Sequence, residues 1–162
     1  MKRRLTAILA ADVVGYSRLV GADEAGTLAA RSLGRDSDCK AAARKTVENA
    51  ERDLVLHPED SRPAVLGAIA LLELGERDRA TDWAARAQAI ENEDPISLYN
   101  LACAYSLLGE PELAFHLLNR AITNGRPFWK DWIEHDSDLN GLRNHPRYAE
   151  LIEQLKQQSP AT

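Results

Sequence analysis

The sequence predicts an all-α fold, a short array of helical hairpins that ends in a helical cap. The first observation is an internal repeat between residues 61 and 127, with a period of about 34 residues that is typical of helical repeat proteins. Six pairs in this register match in identity or in apolar character. They are Gly75 with Gly109, Leu74 with Leu108, Ala80 with Ala114, Ala87 with Ala121, Ala68 with Ala102, and Leu71 with Tyr105.

The second observation is that each repeat has the pattern of two helices joined by a tight turn. The four predicted helices run from Arg62 to Leu74, from about Arg77 to Glu91, from Ile96 to Leu108 and from Glu112 to Thr123. Gly75 marks the first turn, because glycine adopts a positive φ without steric cost. Gly109 marks the second, and Pro111 behind it suits the first turn of a helix, where its missing N–H would have no partner anyway.

Further helical segments flank the two repeats. Residues 41–56 have the pattern of the second helix of one more repeat that lacks its first helix, and a polar linker (32–38) precedes them. Downstream, the predicted helices run from Phe128 to His135, from Asp138 to Arg143 and from Pro146 to Gln157. The apolar spacing in the last of these is that of an amphipathic cap. We therefore expect about two and a half repeats in a domain of residues 39–158, after an N-terminal segment and linker of residues 1–38.

The second unit resembles the tetratricopeptide repeat, which has the same period. The matching residues are Leu98, Leu101, Ala102, Tyr105, Gly109, Ala114, Leu118 and Ala121, with Pro127 one place late. The first unit departs from the family pattern at Ala64 and Gly67, where larger residues are usual. The resemblance implies a scaffold that binds another protein and has no catalytic activity.

In the tetratricopeptide family, the first helix of each repeat offers its concave face to the partner. By this resemblance the binding groove consists of Arg62, Val65, Ile69, Leu72, Ile96, Tyr99, Cys103 and Ser106. This set is mainly apolar with one cation, which favours a modestly apolar peptide or helix as the partner. The alternative hypothesis is that these residues pack against the chain's own N-terminal segment, in cis or by exchange within a homodimer.

Residues 3–31 resemble a different family, the class III nucleotide (adenylate) cyclases of the bacterial branch that carries tetratricopeptide repeats. The specific part is the run from Ala11 to Ser17, in which Asp12 matches the family's strand-end aspartate that binds magnesium. The family's other catalytic residues have no counterpart in this sequence. Phosphoryl transfer needs metal, positioning and charge stabilisation together. The alternative to a binding scaffold is therefore a remnant or regulatory fragment of such a cyclase.

Composition and charge narrow the remaining classes of function. The net charge is −5, although residues 1–31 carry five basic and only three acidic side chains. The acidic remainder would repel phosphate backbones, so we expect no nucleic-acid partner. No run approaches the ~18 apolar residues of a transmembrane helix. Cys39 and Cys103 lack the spacing of a disulfide framework or a metal site, which favours reduced thiols in the cytoplasm.

Polar clusters outside the predicted groove do not have the pattern of a catalytic or metal site. The histidines, His57, His116, His135 and His145, form no i, i+4 pair, so helix capping or solvent exposure explains them better than a metal. The acidic run from Glu134 to Asp138 lacks the glycine and the later glutamate of a calcium loop, and we expect it to end one helix and cap the next. Trp129 and Trp132 are predicted to seal the last repeat under the C-terminal tail. We expect no cofactor and no metal.

Overall fold

The structure is a computed structural model, and it describes residues 36–90, 93–123 and 129–158. Within these ranges every regular element is a helix, which confirms the predicted all-α class. The elements are α1 (Asp36–Leu56), α2 (Ser61–Leu74), α3 (Arg77–Ile90), α4 (Pro95–Leu107), α5 (Pro111–Thr123), α6 (Trp129–His135), a 3-10 helix (Ser137–Leu142) and α7 (Pro146–Gln158). The cyclase-like residues 3–31 lie outside the described part.

The predicted helix boundaries agree with the structure to within one or two residues at most ends. The exception is α1, which begins at Asp36 rather than at Ala41. Residues 36–38 therefore belong to the helix and not to the predicted linker. Their composition explains the difference, because aspartate and serine are favoured in the first turn of a helix, where unpaired N–H groups and the helix dipole attract them.

The chain divides into two compact units, Met1–Ile90 and Glu91–Thr162. In the described part of the first unit, α2 packs against both α1 and α3. One stripe of α1 is buried, and its members recur every three or four residues: Cys39, Ala43, Val47, Ala50 and Leu54. This spacing places them on a single face of the helix.

Gly75 ends α2 and reverses the chain into α3. Its φ is 81°, in the left-handed region that favours glycine. The N–H of Gly75 donates to the carbonyl of Leu72 (3.1 Å), and the N–H of Glu76 donates to the carbonyl of Leu71 (2.9 Å). These two bonds form a Schellman motif, which satisfies carbonyls that the end of the helix would leave without partners.

The same turn recurs one period later, in the second unit. Gly109 has a φ of 72°, and its N–H donates to the carbonyl of Ser106 (3.0 Å). The N–H of Glu110 donates to the carbonyl of Tyr105 (2.9 Å). Both donors and both acceptors are thus shifted by the period read from the sequence. The two turns are therefore equivalent in their hydrogen bonds as well as in their residue types.

In the second unit α4 packs against α5 and against the 3-10 helix, while α7 packs against α5 and α6. The buried core includes Leu98 and Leu101 from α4, and Leu117 and Leu118 from α5. The segment after α5 adds further buried residues, which are Ile133, Leu139, Leu142, Leu151 and Leu155. The C-terminal segment predicted as a cap therefore contributes to the core of this unit.

Gly67 in α2 allows the ring of Trp83 in α3 to lie directly against the helix backbone. A Cβ atom at Gly67 would stand 1.9 Å from Cζ3 of Trp83, far inside van der Waals contact. The sequence alone marked Gly67 as a departure from the repeat pattern. The structure explains it, because the large residue that is missing from α2 is supplied by α3.

We expect Gly67→Ala to destabilise the protein by ~1–3 kcal/mol, because overpacking against Trp83 outweighs the gain in helix propensity. The matched control is Gly141→Ala, whose Cβ would meet its nearest neighbour at an ordinary 3.5 Å. That variant should change the stability little. Urea unfolding of the two variants and the wild type measures the difference, and equal effects would mean that Trp83 does not occupy this position.

Candidate functional site

The structure divides the eight predicted groove residues into two groups. Four are buried: Val65, Tyr99, Cys103 and Ser106. Four are partly exposed: Arg62, Ile69, Leu72 and Ile96. Three of the buried residues belong to α4 in the second unit, whereas three of the partly exposed ones belong to α2 in the first. The two hairpins therefore differ in how much of the predicted face reaches solvent.

On the groove side of α2 (the α2 face), Asp60 forms an ion pair with Arg62, which is the one cation among the predicted groove residues. The Arg62 guanidinium donates to both carboxylate oxygens of Asp60, with its Nε 2.8 Å from Oδ1 and its Nη2 2.6 Å from Oδ2. Asp60 is also the N-cap of α2, since its Oδ1 accepts the backbone N–H of Arg62 at 3.0 Å. The positive charge expected to face a partner is therefore balanced within the chain.

The electrostatics of Asp60 follow from these contacts. Burial by itself would raise the pKa of this carboxyl, but the hydrogen bonds and the positive charge of Arg62 outweigh it, so the pKa lies below its ordinary value of 3.8. Next to this pair, the α2 face is apolar. Ile69 and Leu72 are each partly exposed, one turn apart on the same helix.

On the groove side of α4 (the α4 face), residues from the segment after α5 cover the predicted groove residues. The Tyr99 hydroxyl donates to Oδ2 of Asp136 at 2.7 Å. The Trp132 ring packs edge-on against the Tyr99 ring, with 5.6 Å between the ring centroids. Tyr99 is only 3% exposed as a result. Trp132 thus packs on the second hairpin, which is one part of the predicted seal, whereas the side chain of Trp129 lies outside the described part.

Cys103 lies one turn beyond Tyr99 on α4, and its thiol points to the same carboxylate. Its Sγ is 3.8 Å from Oδ2 of Asp136. Burial raises the pKa of the thiol well above its ordinary value, and the negative charge of Asp136 raises it further. The thiolate is the reactive form of cysteine, so this thiol is held in its unreactive state.

Asp136 connects this face to the segment that covers it. Its Oδ1 accepts the backbone N–H of Asp138 at 2.9 Å, which makes it the N-cap of the 3-10 helix. This confirms the capping role predicted for the acidic run. Arg143 also stabilises this segment, because it donates to the carbonyls of Glu134 (2.7 Å) and Asp136 (3.0 Å). No pattern in the sequence indicated that Asp136 would also bind Tyr99, because the two residues lie 37 positions apart.

The histidines in the described part fit the structural roles expected of them. His145 precedes α7, and its Nδ1 lies 3.3 Å from the backbone nitrogen of Arg147, in the capping position. His57, His116 and His135 are exposed. Within the described ranges no three histidine, cysteine, aspartate or glutamate side chains gather where they could hold a metal ion. None of the described helices is long and apolar enough to cross a membrane.

We expect Asp60→Asn to lower the stability at neutral pH by about 0.5–1.5 kcal/mol, because asparagine keeps the cap but loses the charge-assisted bonds to Arg62. The pKa of Asp60 is lowered in the folded state, so its contribution is present above pH 3.8 and disappears as the pH falls below that value. The difference between variant and wild type should shrink accordingly. Urea titrations from neutral pH into the acid range measure it.

The control is Asp94→Asn at the N-cap of α4, one period later. Asp94 accepts the N–H of Ser97 at 2.8 Å, and Ile96 stands where Arg62 stands in the first hairpin. This substitution should cost less. A larger loss at Asp94 than at Asp60 would contradict the importance of the Arg62 pair.

No protein-family model matches the sequence, and a search of curated proteins found no match either. A proposal for the function therefore depends on which predicted groove residues are buried and which are partly exposed in each of the two hairpins.

Proposed function

We propose that this chain is a cytoplasmic scaffold of the tetratricopeptide type that binds another protein through the α2 face and has no catalytic activity. The observation that carries the proposal is that Ile69 and Leu72 remain partly exposed on a face that the resemblance to the tetratricopeptide family assigns to partner binding. The two neighbouring apolar side chains on one helix provide anchoring positions of the kind that helix and peptide ligands use.

The recurrence of the hairpin turns supports the repeat type. The glycine conformation and both turn hydrogen bonds return after one period. The N-caps do so as well, with Asp60 before α2 and Asp94 before α4. Repeats of this kind bind many unrelated proteins, so the period itself does not identify a partner.

The chemistry of the α2 face narrows the partner to an apolar segment. The Arg62 guanidinium is already paired with Asp60, so an acidic peptide would have to compete with a carboxylate held at 2.6 Å. Burial of apolar surface is the remaining source of affinity, at about 25 cal/mol per Å². A peptide or helix with exposed leucine-like side chains fits this surface best.

The test is a selection of peptides from a random library on the purified full-length protein. We expect the selected peptides to carry apolar side chains at helical spacing, and Leu72→Asp to weaken their binding at least about tenfold, since ~1.4 kcal/mol is one decade of affinity. Titration calorimetry measures the dissociation constants. Helix content and thermal midpoint must remain those of the wild type for the comparison to hold.

The matched control is Leu113→Asp, which introduces the same charge at a leucine that is 36% exposed on α5 in the second unit. Binding should be unchanged in this variant. Equal losses in both variants would contradict the assignment of the α2 face. A selection that yields no specific binder would contradict the scaffold function itself.

The cyclase resemblance of residues 3–31 leads to a separate prediction. The purified protein should convert neither ATP nor GTP to a cyclic product in the presence of magnesium or manganese, because one metal-binding aspartate cannot replace a whole phosphoryl-transfer site. Chromatography of the reaction mixture detects the product. Metal-dependent turnover that disappears in Asp12→Ala would instead establish the cyclase alternative.

A further inference from the structure

The segment from Trp132 to Gly141 follows α4 in the way a bound peptide would. Trp132 and Asp136 contact Tyr99, Asp136 also contacts Cys103, and Gly141 lies beside Ser106. The contacted residues are four and three positions apart, so they form one stripe along the helix. Sequence numbers rise together on both sides, which means that the segment runs parallel to α4.

These contacts involve residues that the resemblance to the tetratricopeptide family assigns to partner binding. All three α4 residues are buried, with exposures of 3%, 3% and 7%. At Gly141 the segment still lies beside α4, where a Cβ atom would stand 3.5 Å from the Ser106 carbonyl oxygen, an ordinary van der Waals distance. The contact between the segment and α4 therefore continues from Tyr99 to Ser106.

Displacing the segment would disturb much more than its contact with α4. Ile133, Leu139 and Leu142 belong to it or adjoin it, and their exposures are 0%, 0% and 2%. Exposing these large apolar side chains to water is unfavourable. A ligand that replaced the segment on α4 would have to offset that loss as well as the contacts of Trp132 and Asp136 with Tyr99.

We infer that Trp132–Gly141 is a built-in ligand that closes the face formed by Tyr99, Cys103 and Ser106 on the second hairpin, whereas Arg62, Ile69 and Leu72 on the first hairpin stay available to a partner. This inference rests on the proposed function for its biological meaning, but the closure itself is a property of the chain alone. The partner's contacts with the first hairpin then centre on Ile69 and Leu72.

The experiment compares two thiols at equivalent positions in one molecule. Ile69 lies one period before Cys103, so Ile69→Cys places a thiol on the α2 face at the position that Cys103 occupies on α4. The full-length variant is alkylated with iodoacetamide in native buffer and with increasing urea. Peptide mapping by mass spectrometry then reads the labelling rate at each cysteine separately.

We expect the thiol of Ile69→Cys to react in the folded protein at least about 100-fold faster than Cys103, whose labelling should require global unfolding. Equal and fast labelling at both positions would show that the α4 face opens and would overturn the inference. Equal protection at both positions would also overturn it, because the first hairpin would then be closed as well. Leu72→Cys is the second variant if Ile69→Cys does not fold.

The outcome also separates this inference from the proposed function. A peptide from the library selection should slow the labelling of Ile69→Cys and leave Cys103 unchanged. If Cys103 is protected but the library yields no peptide that binds, the α4 face is closed and the proposed scaffold function is wrong. Acceleration of Cys103 labelling by a peptide would mean that the segment is displaced, which contradicts a built-in ligand.

Discussion

The left-handed turn at Gly75, repeated at Gly109, is what makes both hairpins possible. Each glycine reverses the chain within two residues and lets two carbonyls of the preceding helix find N–H donors. A residue with a side chain would meet a steric penalty at this φ. Only with the chain reversed this sharply can α2 pack against α3, and α4 against α5, along a seam of buried alanines.

Three aspartates that cap helices determine how the predicted binding face differs between the two units. Asp60 caps α2 and pairs with Arg62, and Asp136 caps the 3-10 helix and binds Tyr99. Asp94 caps α4 where no arginine follows, because Ile96 stands in the place of Arg62. Capping is a local role that uses only one or two side-chain hydrogen bonds, so the remaining carboxylate oxygen is available for a second contact.

Close approaches between elements depend on complementary sizes rather than on apolar character alone. Gly67 admits the Trp83 ring to the backbone of α2. Protein interiors are packed at nearly crystalline density, so a missing side chain on one element implies a large one from another. The residue that explains Gly67 therefore lies on α3 and not on α2.

The helical class, the repeat register, the turns at Gly75 and Gly109 and the capping role of the acidic run near Asp136 could all be predicted from the sequence. These are local features, set by backbone conformation and by the spacing of apolar residues along each helix. Only the folded chain shows which residues of the predicted groove are exposed to solvent. Asp136 and Trp132 reach Tyr99 across more than thirty residues. No periodic pattern encodes such a contact, because it depends on how the segment after α5 folds back onto α4.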